Sequence, residues 1–395
     1  MQQQLKTRQV IALCALSFIP VFGSTIVSPI YPVMVKTLQL SSVEVGMISS
    51  VGAFTTLLGS PIIGCLSDRH GPLKMMRPLL MLYVIGTLIC AASPFLGLSP
   101  FGLLLLGRSL QGFGELGGLQ QGISLIASEV DEKSKGRLLS RVEASASAGG
   151  ATGPLVGGVL ASIAWWTGYL VPAALMTITM LFLLGSLSES SDRSFPQADK
   201  APPEEVCVSM RLVAAALSCF SLMFGLTGMQ TFVVGYIVAR FGVSPAIGGL
   251  FVSLHALAMS AAAFVSGKRL SEERAPRMIG VGLAGFGVML LFVPRISNLT
   301  TLVACMALGG AACGLILPSS NLVGTSGVQA NSAARTTSLI YMLRLCGSMA
   351  GSLAFGWMMK FGYSRAFTSV GAIVLMSGAV LPIMLNGRRR NLLSA

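Results

Sequence analysis

Arg108, Gln111, Gly112 and Glu115 stand at i, i+3, i+4 and i+7, a spacing that puts all four on one face of a helix. Arg108 and Glu115 are then two turns apart, about 10 Å at 1.5 Å per residue, too far to touch without water or a bound molecule between them. A guanidinium holds carboxylates and other oxyanions. A carboxylate deep in an apolar segment is either a proton carrier or a permanently paired structural group. Glu143 is a second protonatable candidate, roughly 8 Å into a later apolar run, where it either reaches back to the surface or faces a cavity. Arg344 sits in an apolar run of the second half, and no acidic residue follows Glu273. Its partner is therefore an acid of the first half (Glu115 or Glu143), an anionic group of a bound molecule, or a set of backbone carbonyls. His255, Gln230, Tyr236, Asn321 and Tyr341 complete the polar inventory; each serves equally well as a ligand contact or as an interhelical hydrogen bond. A lone histidine such as His255 reads first as a packing residue and second as a proton relay.

The elements that hold these residues are set by composition. The chain has 395 residues, 53% of them hydrophobic and 10% charged, with a mean hydropathy of +0.78. Soluble domains carry about 25% charged residues, so several soluble cores are excluded, and so is intrinsic disorder. The net charge of +13 sits in short clusters between apolar runs, without the aromatic–basic interleaving of nucleic-acid binders. The eight cysteines show no metal-ligand or CxxC spacing and read as small apolar residues. The composition is that of an all-α polytopic membrane protein.

A spanning helix needs about 20 mostly apolar residues. Twelve such runs fall near 10–31, 43–65, 77–94, 100–126, 138–163, 169–187, 208–235, 246–266, 278–294, 299–323, 334–359 and 366–386. The first follows a short basic start and is too long for a signal-peptide core. Between the sixth and seventh lies the polar, proline-bearing stretch 188–206, read as a cytoplasmic linker. It divides the chain into six-helix bundles at 1–187 and 207–395. With the N-terminus inside, 20 of the 27 basic residues fall in inside segments or in the first four residues of the spans that leave them, and five fall in outside loops, so both termini are expected to be cytoplasmic. The halves repeat. A shift of 203 sets Gly46, Ser50 and Gly64 on Gly249, Ser253 and Gly267, and a shift of 198 sets Arg137, Ser140, Gly149, Gly153 and Gly158 on Arg335, Ser338, Gly347, Gly351 and Gly356. Together they indicate an internal duplication and two pseudo-symmetric bundles.

Three stretches resemble the major facilitator superfamily. GCLSDRHGPLK (64–74) is similar to its G-x-L-x-D-R-x-G-R-K signature, with Gly64, Leu66, Asp68, Arg69, Gly71 and Lys74 in place and Pro72 departing from it. RSLQGFGE (108–115) resembles the R-x-x-Q-G-x-G segment. GATGPLVGG (150–158) is similar to the antiporter signature G-x-x-x-G-P-x-x-G-G: Gly149 or Gly150 leads, then come Gly153, Pro154, Gly157 and Gly158. Pro29 and Pro32 fit the P-x-x-P ending of the first helix in twelve-helix drug:proton antiporters. The resemblance implies the major facilitator fold and a conformational latch at Asp68; the bland alternative is a loop charge anchoring a tight turn. It also implies close packing of the Gly–Pro segment against the other half. The first helix lacks the acid that many of those antiporters carry.

From these features the expected function is proton-coupled secondary export of a small amphipathic drug or metabolite, siderophores included, by alternating access. Uptake or facilitated diffusion of an organic anion, with Arg108 and Arg344 as counter-charges, is the alternative. Sequence signatures of an enzyme or of an ATP-driven pump do not occur. The expected partners are the substrate, protons and the bilayer, with no nucleic acid, metal or cofactor, in a monomer of the bacterial inner membrane.

Overall fold

Helix ends follow local chemistry. The computed structural model describes residues 7–118, 120–122, 126, 132–187, 209–326 and 330–392. α1 (Thr7–Thr25) stops where Pro29 removes a donor: Ser28 N bonds back to the Thr25 carbonyl, and a turn leads into the short α2 (Tyr31–Leu38), which carries Pro32. α3 (Ser42–His70) opens on a capping box in which Glu44 Oε2 accepts from Ser41 N at 2.7 Å while Glu44 N donates to Ser41 Oγ. α3 runs through residues 64–70, expected as a loop, so the turn before α4 (Pro72–Ala92) is confined to Gly71. At φ 85° Gly71 holds a backbone conformation that side chains disfavour. Hydropathy marks where apolar residues end, and a helix can continue past that point into polar sequence.

α5 (Pro100–Glu115) begins at the Ser99 cap, with Pro100 in its first turn. It is followed by α6 (Glu132–Ala161) and α7 (Thr167–Leu187). The second half contains α8 (Met210–Phe241), α9 (Pro245–Gly267), α10 (Ala275–Phe292), α11 (Leu299–Gly314), α12 (Ile316–Thr325), α13 (Ala330–Met358) and α14 (Tyr363–Leu392). Nine segments among the described residues are long and apolar enough to cross a membrane, with α11 and α12 counted as one. α5, α6 and α7 stand where the other three spans are expected, and no strand occurs among the described residues. The linker 188–206 lies outside the described residues, and so does the side chain of Asp68.

The chain forms two compact units. One comprises residues 1–40, 51–200 and 243–250; the other comprises 41–50, 201–242 and 251–395. Their internal packing follows one plan. In the first unit α1 packs on α6 and α7, and α4 on α5 and α7; in the second, α8 packs on α13 and α14, and α10 on α11 and α14. The duplication reaches individual residues. Gly149 and Gly153 of α6 back onto the carbonyls of Phe18 and Phe22 in α1, as Gly347 and Gly351 of α13 back onto those of Phe220 and Phe224 in α8. Both phenylalanine pairs stack, at 5.3 and 6.1 Å. A side chain at any of these glycines would drive the paired helices apart.

Candidate functional site

In the first unit Arg108 and Gln111 are buried, at 5% and 1% exposure, and Arg108 Nη1 donates to Gln111 Oε1 at 2.7 Å. The guanidinium has room because α3 presents a glycine there; a Cβ on Gly52 would stand 3.8 Å from Arg108 Nη2. Gly112 in turn backs onto the Gly52 carbonyl. Hydroxyl bonds from Thr55 to the Ser109 carbonyl (3.0 Å) and from Thr56 to the Gly112 carbonyl (2.9 Å) lock α3 to α5. Tyr83 of α4 is fully buried and donates to the Ile19 carbonyl of α1. Tyr31 and Tyr169 interact electrostatically with the same arginine, so three of the six tyrosines are gathered near it. Arg108 Nε and the Tyr169 hydroxyl are buried without a hydrogen-bond partner among the described residues. A buried polar group with no partner of any kind costs about 1–3 kcal/mol, so these two groups are open to a water or a ligand atom.

Glu115 is the last residue of α5. It is within electrostatic reach of Arg108 and Tyr83, keeps an accessible edge, and accepts no hydrogen bond among the described residues. Beyond it the backbone tightens. Leu116, Gly117 and Gly118 bond back to Phe113, Gly114 and Glu115, three residues behind instead of four. Gly117 and Gly118 fit because neither carries a side chain against Leu79 and the Leu16 carbonyl. The acid thus stands at a break in the helix.

The second unit places different chemistry at the corresponding positions. His255 matches Gly52 under the 203 shift and is fully buried. Its Nδ1 is 2.9 Å from the Met306 carbonyl, which can only accept, so the proton is on Nδ1; Nε2 has no partner among the described residues. Gly310 backs onto the His255 carbonyl as Gly112 does onto Gly52. The 198 shift then sets Arg108, Gln111 and Glu115 on Met306, Gly309 and Cys313. The helix still breaks at the same place, between Gly314 and Ile316.

The remaining predicted residues are dispersed. Glu143 is exposed on α6. In the second unit Arg344 is half-buried, with its guanidinium 5.9 Å from the Tyr341 ring centre. Gln230 is half-buried, and Asn321 is exposed on α12. Tyr236 is buried and donates to the Val293 carbonyl at 3.2 Å. Of the signature near α4, Arg69 and Lys74 are exposed, and a Cβ on Gly64 would meet nothing within 4 Å. Gly150 and Gly157 also face α1, at Val21 and the Ile26 carbonyl. Gly158 lies against Pro245 and Ala246 of α9, and Gly249 against the Pro154 carbonyl. Tyr31, Tyr83 and Tyr169 are absent from the sequence-based candidates. Their signal in the sequence is a phenolic hydroxyl inside or beside an apolar run.

Residues 13–268 match the model of the Major Facilitator Superfamily. The chain belongs to this superfamily. It is a multi-pass membrane transporter of a small molecule, not an enzyme. It is 23% identical to the bacillibactin exporter of Bacillus subtilis, over 89% of this chain and 90% of that one. It is 26% identical to the multi-drug resistance efflux pump PmrA of Streptococcus pneumoniae, at 89% and 90% coverage. Over 46% of its length it is 33% identical to 43% of the staphyloferrin B transporter of Staphylococcus aureus. Among solved structures, a bacterial homologue of the human lysosomal transporter Spinster superposes with a TM-score of 0.78 at 17% identity, covering 96% of both chains. A peptide transporter, POT, superposes at 0.77 and 16% identity, covering 98% of this chain and 96% of that one. These likenesses establish the fold.

Proposed function

We propose that this transporter exports a small oxygen-rich metabolite of the siderophore type in exchange for protons, with Glu115 as the proton carrier. The observation that carries the reading is the position of Glu115. It is a carboxylate at a helix break, one turn beyond Gln111 and two beyond Arg108, which are bonded to each other, in a chain with no acid after Glu273. Proton binding there alters the charge beside Arg108, and therefore the relative stability of conformations that differ at the break. Glu143, exposed on α6, is the lesser candidate. The bacillibactin exporter and the multi-drug efflux pump support the direction, and the bacillibactin exporter and the staphyloferrin B transporter support the ligand class. The proposed home is a bacterial inner membrane with both termini cytoplasmic.

The test is substrate-dependent proton movement in proteoliposomes with a trapped pH dye, using a catecholate and a carboxylate siderophore and a cationic drug. Coupled movement that disappears in Glu115→Gln and persists in Glu143→Gln supports the proposal. Flux without a proton signal in the wild type overturns it in favour of facilitated diffusion of an organic anion.

A further inference from the structure

We propose that the groove between the joined ends of α13 and α14 binds the phosphate headgroup of an anionic phospholipid. The two helices meet through the short 3₁₀ turn Met359–Phe361 and Gly362, the latter at φ 93°. Between them lies a cavity of about 410 Å³ whose lining includes Trp357, Phe361, Ser364, Arg365 and Ser369. One wall is aromatic. Trp357 and Phe361 are 54% and 52% exposed and meet edge to face at 5.4 Å, the arrangement of side chains that sit at a membrane–water boundary. The other wall is polar and unengaged. Arg365, Ser364 and Ser369 are exposed, with no side-chain hydrogen bond or ion pair among the described residues.

Lys360 adds a second exposed cation in the connecting turn. No acidic residue occurs between 274 and 395, so neither cation has a carboxylate in the helices that carry it. Glu44 belongs to the same unit, where Ser42 bonds to the Gly356 carbonyl. Its carboxylate is turned back onto Ser41. The positive charge of the groove is therefore not neutralised by these acids and is open to an anion from outside the chain. A phospholipid satisfies both walls: phosphate oxygens accept from Arg365 and the serines, while acyl chains lie along Trp357 and Phe361. Free phosphate would satisfy only the polar wall.

Trp357 is one of three tryptophans, and Trp165→Phe with Trp166→Phe makes it the sole reporter. In vesicles mixing phosphatidylcholine with brominated phosphatidylglycerol, and in the converse mixture, quenching of Trp357 gives the relative association of the two headgroups. The expected preference for phosphatidylglycerol is about fivefold for one cation near the surface. It falls to parity in Arg365→Gln and resists millimolar inorganic phosphate. Equal association in the parent protein, or a preference unchanged by Arg365→Gln, overturns the proposal; competition by inorganic phosphate assigns the groove to a free anion instead. Native mass spectrometry of the unaltered chain against Arg365→Gln, counting retained phosphatidylglycerol, decides the matter if the tryptophan variants do not fold. Loss of bound lipid in the variant supports the proposal, and equal retention overturns it.

Discussion

Where α3 meets α5 in the first unit, a glycine makes space for a buried arginine, which is bonded to a glutamine one turn on and followed by a glutamate at the helix break. Where α9 meets α11 in the second, the glycine is a histidine bonded to the Met306 carbonyl, and the three polar positions are methionine, glycine and cysteine. The backbone plan is the same in both units, including the break. Only the first copy has a carboxylate there. Duplication supplied the geometry twice, and at these matched positions the arginine and the carboxylate occur in one copy alone.

The sharpest way to break this comparison is Glu115→Gln, which makes the first unit as free of acid at this position as the second. Loss of proton-dependent substrate accumulation by about 5- to 150-fold is expected from a coupling free energy of ordinary size. Retained coupling would refute the assignment. Next is Arg108→Met, which writes the second unit's residue into the first. It leaves Gln111 Oε1 without its donor, at about 1–3 kcal/mol, read as a lower midpoint in detergent melting. Gly52→His alone should be worse than Gly52→His with Arg108→Met, because the histidine needs the space the guanidinium fills. If the two are equally stable, the correspondence of Gly52 with His255 fails.

A third pair sharpens what the units share. Gly153→Leu and Gly351→Leu should each destabilise by about 1–3 kcal/mol, since both put a side chain where a carbonyl of the partner helix lies. Unequal losses would show that the two helix pairs are not equivalent. The smallest effect is expected from His255→Leu. It removes one interhelical hydrogen bond and the unpartnered Nε2, for a net change of about 0.6 kcal/mol, with proton coupling intact.

Much of this was legible in the sequence, and the reasons differ by residue. Helical spacing alone puts Arg108 and Gln111 on one face, one turn apart, because a pair within one helix depends on nothing but its period. The break at Glu115 is foreshadowed by Gly117 and Gly118, yet apolarity carries the expected span on to 126, since a turn inside protein leaves no mark in hydropathy. The tyrosines around Arg108 come from α2, α4 and α7, and nothing in a sequence states which helices face one another. The match of Gly52 with His255 is visible in the alignment of the halves. Its meaning emerges only when Gly112 and Gly310 are found against those two carbonyls.

The glycine seams of α1 with α6, and of α8 with α13, have a mechanical consequence. Backbone lies against backbone there: Gly149, Gly153 and Gly157, one turn apart on one face of α6, lie against the carbonyls of Phe18, Phe22 and Ile26. A carbonyl shifted along the seam by part of a turn leaves the gap of its glycine, so small axial shear is resisted. The expected consequence is that each pair moves as one unit, read as a constant separation between spin labels on α1 and α6 in the presence and absence of substrate.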